Sequence, residues 1–209
     1  MAELKISGRM SVKKLKESAE VADVEDSSCD EPKDGHEYVD LGLSVKWATC
    51  NVGASKPEEY GDYFAWGETS TKEEYTEENS LTYGKKMSDI AGNAQYDAAR
   101  ANWGGSWRMP TEYEWQELID KCKWEWGKVN GVKVNKVTGP NGNSIFLPAA
   151  GYRDGSSLYG AGSIGYYWSS TPDEGSDYRA YILFFYGGDH SMYCYYFRSS
   201  GSSVRPVLE

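Results

Sequence analysis

The clearest periodic pattern in the chain is helical and begins after Pro110. Thr111 is suited to cap a helix, and Glu114, three residues later, completes a capping box. The apolar residues that follow fall on one helical face: Trp115, Leu118, Ile119 and Cys122. A weaker helical pattern spans residues 91–101 and ends before Trp103-Gly104-Gly105. The sequence therefore predicts two helices.

Short apolar stretches separated by Gly and Ser follow the second helix, and similar stretches precede the first. The strand candidates are residues 38–39, 45–49, 128–137, 144–147, 178–186, 192–197 and 203–207. Residues 57–83 have no clear period and contain many Tyr and acidic side chains, which is typical of irregular loops. Two helices combined with short strands and long loops predict an α+β fold.

A change in composition near residue 35 predicts the domain organisation. Residues 21–34 are acidic, contain few large apolar side chains and include Pro32, which is typical of a linker. We therefore expect residues 1–35 to form an N-terminal segment and acidic linker that is partly disordered. Residues 36–207 are expected to form one folded domain.

The net charge of the chain bears on the class of molecule that it binds. Among 209 residues, 22 Lys and Arg stand against 32 Asp and Glu, so the formal net charge is −10. Nucleic acid is therefore not expected as a partner, since phosphate binding depends on clustered basic side chains. No apolar run approaches the ~20 residues of a membrane span. Because no secretory signal is visible, we expect a cytoplasmic or virion-associated protein, with surface display by another route left open.

A motif at the second helix resembles a known family. The segment WRMPTEYEWQEL (residues 107–118) is similar to a signature of formylglycine-generating-enzyme-like proteins, which have a C-type-lectin-type fold. Further segments between residues 37 and 207 resemble the Fibrobacter succinogenes major paralogous domain, which is abundant in gut Bacteroidetes: YVDLGLSVKWATCNVGA, GDYFAWGE, LPAAGYRDGSSLYGAGSIGYYWSSTP and SVRPV. The resemblance implies a C-type-lectin-type domain with two helices, short antiparallel strands and long loops. Within it, Arg108 and Arg205 are expected to pair with carboxylates in a polar core.

The residues that enzymes of this fold require are incomplete here. Formylglycine-generating enzymes bind copper through a cysteine pair near the C-terminal end, and in that region this chain has only Cys194. Iron-dependent relatives need three histidines, whereas the chain has His36 and His190. We therefore expect no catalytic residues and no cofactor. Calcium is undecided, because five loop carboxylates match no known spacing: Asp154, Asp173, Glu174, Asp177 and Asp189.

The segment of residues 178–203 carries the strongest indication of function. Large aromatic side chains occupy both faces of its two strand candidates, so some of them must point away from a core. Exposed Tyr mixed with Ser and Gly is typical of antibody-like binding surfaces and of interface hot spots. Two alternatives remain: the aromatic side chains fill a core poor in aliphatic residues, or they form a sugar-stacking platform.

The composition of this segment suggests how it arose. Glu, Lys, Gln, Met and Trp make up 49 of the 209 residues, so about six are expected among residues 178–203, and only Met192 occurs. Codons ending in a pyrimidine cannot encode these five types. In diversity-generating retroelements, adenine-specific mutagenesis of AAY codons produces this restricted set, often in proteins with C-type-lectin-type folds. The chain thus resembles a variable protein of such an element from a gut Bacteroidetes or its phage.

These observations predict a non-catalytic protein that recognises a protein or glycan ligand at a cell or phage surface. The alternatives are a non-diversified carbohydrate-binding domain and a formylglycine-generating-enzyme-like oxidase. Scaffold positions are expected at Gly187, Gly188, Arg198, Gly201 and residues 204–207. The predicted ligand-binding residues are Tyr178, Ile182, Phe184, Tyr186, His190, Ser191, Tyr193, Cys194, Tyr195, Tyr196, Phe197, Ser199, Ser200 and Ser202.

Overall fold

The computed structural model describes residues 35–209, except for the side chains of Cys194 and Tyr195. Apart from Gly35, the predicted N-terminal segment and linker lie outside the described residues. In chain order the elements are β1 (Tyr38–Val39), β2 (Lys46–Ala48), α1 (Ala98–Trp103), α2 (Glu112–Lys121), β3 (Lys123–Val129), β4 (Val132–Thr138), β5 (Ser144–Pro148), β6 (Tyr152–Asp154), β7 (Ser157–Tyr159), β8 (Ile164–Pro172), β9 (Arg179–Tyr186), β10 (Asp189–Phe197) and β11 (Val207–Leu208). The predicted α+β class is therefore confirmed.

The predicted capping box of α2 is present. The Thr111 hydroxyl accepts a hydrogen bond from the Glu114 backbone N–H, and the Glu114 carboxylate accepts one from the Thr111 N–H. Trp115 and Leu118 are buried in one large apolar cluster with Trp47, Leu147 and Phe185, which we call the main core. Cys122 packs against this cluster. The helix thus forms where local signals for its start and its apolar face agree.

Helix α1 begins later than the sequence pattern predicts. Its N-cap is Asp97, whose buried carboxylate accepts hydrogen bonds from the N–H groups of Arg100, Gly92 and Met109. Gly92 has a φ of 72°, in the left-handed region. The predicted start at residue 91 is therefore wrong, because this carboxylate holds the preceding residues in turns.

The strands of residues 35–209 form four antiparallel sheets. Their strand orders are β1-β2-β11, β3-β4-β5, β6-β7 and β8-β9-β10. The strand predicted over residues 128–137 is divided by a tight turn at Asn130-Gly131, where both residues have positive φ values, as in a type I′ hairpin. The strand predicted over residues 203–207 is reduced to Val207–Leu208. The β6-β7 hairpin was not predicted.

The sheet of β8, β9 and β10 separates two apolar cores. On one face, Tyr167, Leu183 and Phe185 pack in the main core with α2. On the other face, Trp168 and Ile182 belong to a second core, which is completed by Phe64, Trp66, Met109 and neighbouring side chains. Each core combines aliphatic side chains with three or four buried aromatic rings, so part of the aromatic content of the chain is needed for folding.

The half-buried Arg108 and the fully buried Arg205 have different partners. Arg108 forms an ion pair with Glu114, with a nitrogen-to-oxygen distance of 2.6 Å, as predicted. The prediction for Arg205 is wrong, since its guanidinium donates to the Asn51 side chain and to backbone carbonyls of other residues. The carbonyls are those of Ala48, Thr49 and Phe146. Carbonyl oxygens therefore solvate this buried charge.

Within residues 35–209, no helix has the length and apolar character needed to cross a bilayer.

Candidate functional site

The register of the β8-β9-β10 sheet brings one row of side chains to an uncovered part of its second face. Phe184 of β9 lies opposite Tyr166 of β8 and Ser191 of β10. Tyr193, two residues further along β10, points to the same face because side chains alternate along a strand. The second core covers this face at Ile182 and ends before Phe184. The rings beyond that limit are available to a ligand.

Four aromatic rings line a pocket of about 270 Å³ at this position: Tyr166, Phe184, Tyr193 and Tyr196. The rings contact one another in series. The centroid distance is 5.5 Å between Tyr193 and Phe184, 5.2 Å between Phe184 and Tyr166, and 4.6 Å between Tyr166 and Tyr196. Edge-to-face packing holds the first two pairs, with interplanar angles of 86° and 64°. We call these four residues the aromatic pocket.

The β6-β7 hairpin extends the aromatic pocket on one side. The ring of Tyr152 lies 5.0 Å from that of Tyr166 and 5.6 Å from that of Tyr196, measured between centroids. Tyr159, across the hairpin, stacks on Tyr152 at 5.5 Å and is 48% exposed. Tyr152, Tyr159 and Tyr166 were not among the predicted binding residues. For Tyr152 and Tyr159, the sequence signal that could have indicated a binding surface is the content of Tyr, Gly and Ser in residues 151–163.

The phenol groups of Tyr166 and Tyr196 are held in their neutral form by the pocket. Burial raises the pKa of Tyr196 and that of Tyr166 above the ordinary value of 10, and neighbouring tyrosines add to both shifts. Asp154, two residues after Tyr152 on β6, also raises the pKa of Tyr196 through its negative charge. The pocket therefore offers uncharged ring faces and hydroxyl groups beside an acidic side chain.

A break in the register shapes the β10 wall of the pocket. The pairing of β10 with β9 shifts between Tyr193 and Tyr196, which marks a bulge at the edge strand of the sheet. The backbones of Cys194 and Tyr195 lie in this bulge. Since the bulge interrupts strict alternation, Tyr193 and Tyr196 can both face the pocket.

A second exposed group of rings lies at the other end of β10. Tyr178 and Phe197 are 50% and 44% exposed and flank Tyr83, with centroid distances of 4.9 Å and 6.3 Å to its ring. The Tyr83 hydroxyl donates to Glu77 at 2.7 Å. The predicted residues Tyr178 and Phe197 are thus on the surface, but in a patch separate from the aromatic pocket.

His190 and Tyr186 occupy the hairpin end of the sheet. His190 stacks on Trp124 with a centroid distance of 4.3 Å and lies opposite Phe185, so it belongs to the face away from the pocket. Tyr186 is 58% exposed and lies two residues beyond Phe184 on the pocket face. Of these two predicted residues, Tyr186 therefore extends the pocket face and His190 does not.

Four predicted binding residues lie in the interior, so the predictions for them are wrong. Ile182 is fully buried in the second core. Ser199, Ser200 and Ser202 are also buried, and the backbone of Ser202 pairs with that of Phe64. The neighbouring scaffold prediction for Gly201 is consistent with its packing, because an added Cβ would overlap the Tyr75 ring. These four side chains have no access to a ligand in this structure.

Metal-binding and nucleophilic groups are sparse in the described part of the chain. Residues 35–209 contain no group of three or more His, Cys, Asp or Glu side chains arranged to hold a metal. The carboxylates considered for calcium therefore do not converge among the described residues. Cys50 and Cys122 are free, and burial raises the pKa of both thiols, that of Cys122 to about 11. Neither thiol is a ready nucleophile.

The fold and the site together define a mixed α+β domain with an open aromatic pocket on one antiparallel sheet. The chain is similar over residues 124–207 to a family described as Domain of unknown function (DUF8237). This match covers less than half of the chain, yet it includes every residue of the aromatic pocket and the β6-β7 hairpin. No curated protein and no solved structure matches the chain significantly.

Proposed function

We propose that this protein is a non-catalytic recognition domain that binds a protein ligand through the aromatic pocket. The observation that carries the proposal is a pocket lined by four aromatic side chains, three of them from the segment that the sequence singled out. Aromatic rings provide large contact areas at low cost in side-chain entropy, and they dominate interface hot spots.

The packing argues against the alternative that these rings only fill a core. Both cores are complete without Tyr186 and Tyr193, which remain about half exposed. A protein ligand is favoured over a glycan because no carboxylate, carboxamide or guanidinium group lines the pocket among the described residues. Sugar hydroxyls need several such polar partners, whereas an anchoring side chain needs mainly ring faces.

The same proposal includes a C-type-lectin-type fold. It is supported by the roles of residues in the motif that carries the resemblance: Trp107 and Trp115 are fully buried, and Arg108 pairs with Glu114. The absence of catalysis is supported by the sequence, which has two histidines and lacks a cysteine pair near Cys194.

Diversification by a retroelement is part of the proposal and has its own test. Of the five residue types Glu, Lys, Gln, Met and Trp, only Met192 occurs in residues 178–203, and none occurs in residues 137–167. Depletion therefore accompanies the Tyr, Gly and Ser composition in both segments and does not by itself mark a variable region. The nucleotide sequence of the locus tests diversification. We expect it to contain a near-copy of the codons for residues 178–203, close to a reverse transcriptase gene. This copy should carry adenines at the positions where the two sequences differ. A locus without such a copy contradicts diversification.

Ligand binding is tested with displayed peptides and arrayed glycans, probed with the wild type and two matched variants. Tyr193→Ala removes a ring of the pocket, and Tyr113→Ala removes a 77% exposed ring on α2. We expect selected peptides to bind the wild type and Tyr113→Ala equally, and to bind Tyr193→Ala at least about tenfold more weakly. The proposed function would be contradicted if the selected peptides bound Tyr193→Ala as tightly as the wild type, or if only glycans bound.

A further inference from the structure

Within residues 35–209, the ring faces of the aromatic pocket are not covered by a basic side chain. Elsewhere the molecule places cations over aromatic faces: Arg198 lies 4.5 Å from the centroid of the Trp66 ring, and Lys133 lies 5.9 Å from that of Trp126. Among the described residues, no Lys or Arg covers a pocket ring. A ring face carries partial negative charge and attracts a cation within about 6 Å.

An acidic groove of about 490 Å³ adjoins the pocket. Its walls include Glu74, Glu77, Glu78 and Asp154, all exposed, together with Tyr159. Tyr159 stacks on Tyr152, which in turn contacts the pocket ring of Tyr166. The hairpin tyrosines therefore form a continuous wall from the ring faces of the pocket to the carboxylates of the groove.

Backbone pairing fixes the acidic loop beside the hairpin. The N–H of Tyr75 donates to the carbonyl of Gly155, and the N–H of Gly155 donates to the carbonyl of Tyr75, both at 2.9 Å. The Tyr75 side chain is buried and anchors the loop. Arg153 points to the opposite face of the hairpin from its neighbour Asp154, over the ring of Tyr63. The charged side chains on the walls of the groove are therefore carboxylates.

We infer that the ligand is a positively charged segment of a protein partner, with one lysine, methylated lysine or arginine head on the rings of the aromatic pocket and further basic side chains over the acidic groove. This inference rests on the proposed function and names the chemistry of its ligand. The net charge of −10 favours approach of such a segment. Rings alone would accept any apolar side chain, and the adjoining carboxylates select a cationic one.

The pocket is tested with choline and its neutral tert-butyl analogue, which has the same shape without the charge. Chemical-shift titrations of the full chain are compared for the wild type, Tyr193→Ala and Tyr113→Ala. We expect choline to bind the wild type and Tyr113→Ala equally, and both the neutral analogue and Tyr193→Ala to show binding about tenfold weaker. Equal binding of choline and the neutral analogue would overturn the inference.

The groove is tested with peptides that also separate a free ammonium group from a peptide side chain. A lysine-rich peptide, its trimethyl-lysine form and a Gly-Ser peptide of equal length are titrated into the wild type and into Glu74→Gln/Asp154→Asn. We expect both lysine peptides to bind more tightly than choline and several-fold more weakly to the double variant, with choline affected less. Unchanged peptide affinity in the double variant would overturn the role of the groove.

The failure of this inference can be distinguished from failure of the proposed function. If selected peptides depend on Tyr193 but are not enriched in Lys or Arg, and choline does not bind, the protein recognises a different ligand class. If neither peptides nor choline depend on Tyr193, both proposals are wrong. Thermal unfolding of Tyr193→Ala is measured alongside, and we expect it to match the wild type closely because this side chain is half exposed.

Discussion

Arg205 illustrates at the scale of one residue how a buried charge can organise this fold. Its guanidinium is fully buried and donates to three backbone carbonyls and one amide oxygen, at distances between 2.6 and 2.9 Å. Burial lowers the pKa of this guanidinium, and the nearby Tyr167 hydroxyl acts in the opposite direction. The carbonyls come from β2, β5 and the loop after β2, so one side chain joins distant parts of the chain.

Replacing Arg205 with methionine should therefore be strongly destabilising. The substitution Arg205→Met keeps a long apolar side chain but leaves several buried carbonyls without donors, at a cost of about 3 kcal/mol or more. Urea unfolding followed by tryptophan fluorescence measures the change. The matched control is Arg153→Met, which removes a half-buried arginine over a tyrosine ring and should cost about 1 kcal/mol or less. Equal losses for both variants would contradict this account.

Tyr167 makes stability depend on pH in the alkaline range. Burial raises its pKa from 10 to about 12. Because the folded-state pKa lies above the unfolded value, the contribution is complete below pH 10 and is lost as the pH rises toward 12. The free energy of unfolding should fall by up to about 1.4 kcal/mol per pH unit from this group. Urea titrations across this range should show a shallower decline in Tyr167→Phe, and parallel declines would contradict the prediction.

At the scale of elements, the close contact between β8 and β9 depends on a glycine. A Cβ atom at Gly165 would overlap the ring of Phe185, which lies across this residue in the main core. The substitution Gly165→Ala should destabilise the domain by about 1–3 kcal/mol, because the ring has to shift in a filled core. Gly127→Ala in β3 is the control, since nothing lies within 4 Å of its Cβ position. We expect a change within about 0.5 kcal/mol there.

The elements that the sequence predicted well are those with local determinants. The N-terminus of α2 was predictable because Thr111 and Glu114 satisfy each other's backbone groups within one turn. The start of α1 was not, because the Asp97 carboxylate also binds the N–H of Met109, which is distant in sequence. The Asn130-Gly131 turn, by contrast, carries a local hairpin signal inside the strand predicted over residues 128–137. Contacts between distant segments account for the helix boundary that was missed.

The sequence predicted that an aromatic surface exists but not which residues form it, because exposure also depends on contacts between distant segments. Alternation along β9 places Ile182 and Phe184 on the same face, but the second core covers Ile182 and leaves Phe184 at the pocket. The sequence of one strand does not reveal where that covering ends. The bulge between Tyr193 and Tyr196 likewise depends on pairing with a neighbouring strand. An aromatic surface could thus be predicted from composition, while its individual members required the packing.

At the scale of the whole molecule, folding and recognition are expected to use different aromatic residues. Four side chains of the predicted segment are 44–58% exposed: Tyr178, Tyr186, Tyr193 and Phe197. Replacing all four with serine should change stability by no more than about 2 kcal/mol in total, since each surface change is worth about 0.5 kcal/mol or less. Circular dichroism and urea unfolding of the quadruple variant measure this.

The matched comparison is a single substitution inside the same strand. Ile182→Ala removes a fully buried side chain from the second core and should cost about 2–5 kcal/mol, more than the four surface changes together. The quadruple variant should nevertheless lose ligand binding, whereas any folded Ile182→Ala protein should retain the ring faces of the aromatic pocket. If the quadruple variant unfolds and Ile182→Ala does not, the exposed rings belong to the core. A surface that tolerates four simultaneous changes is one on which recognition can vary without loss of the fold.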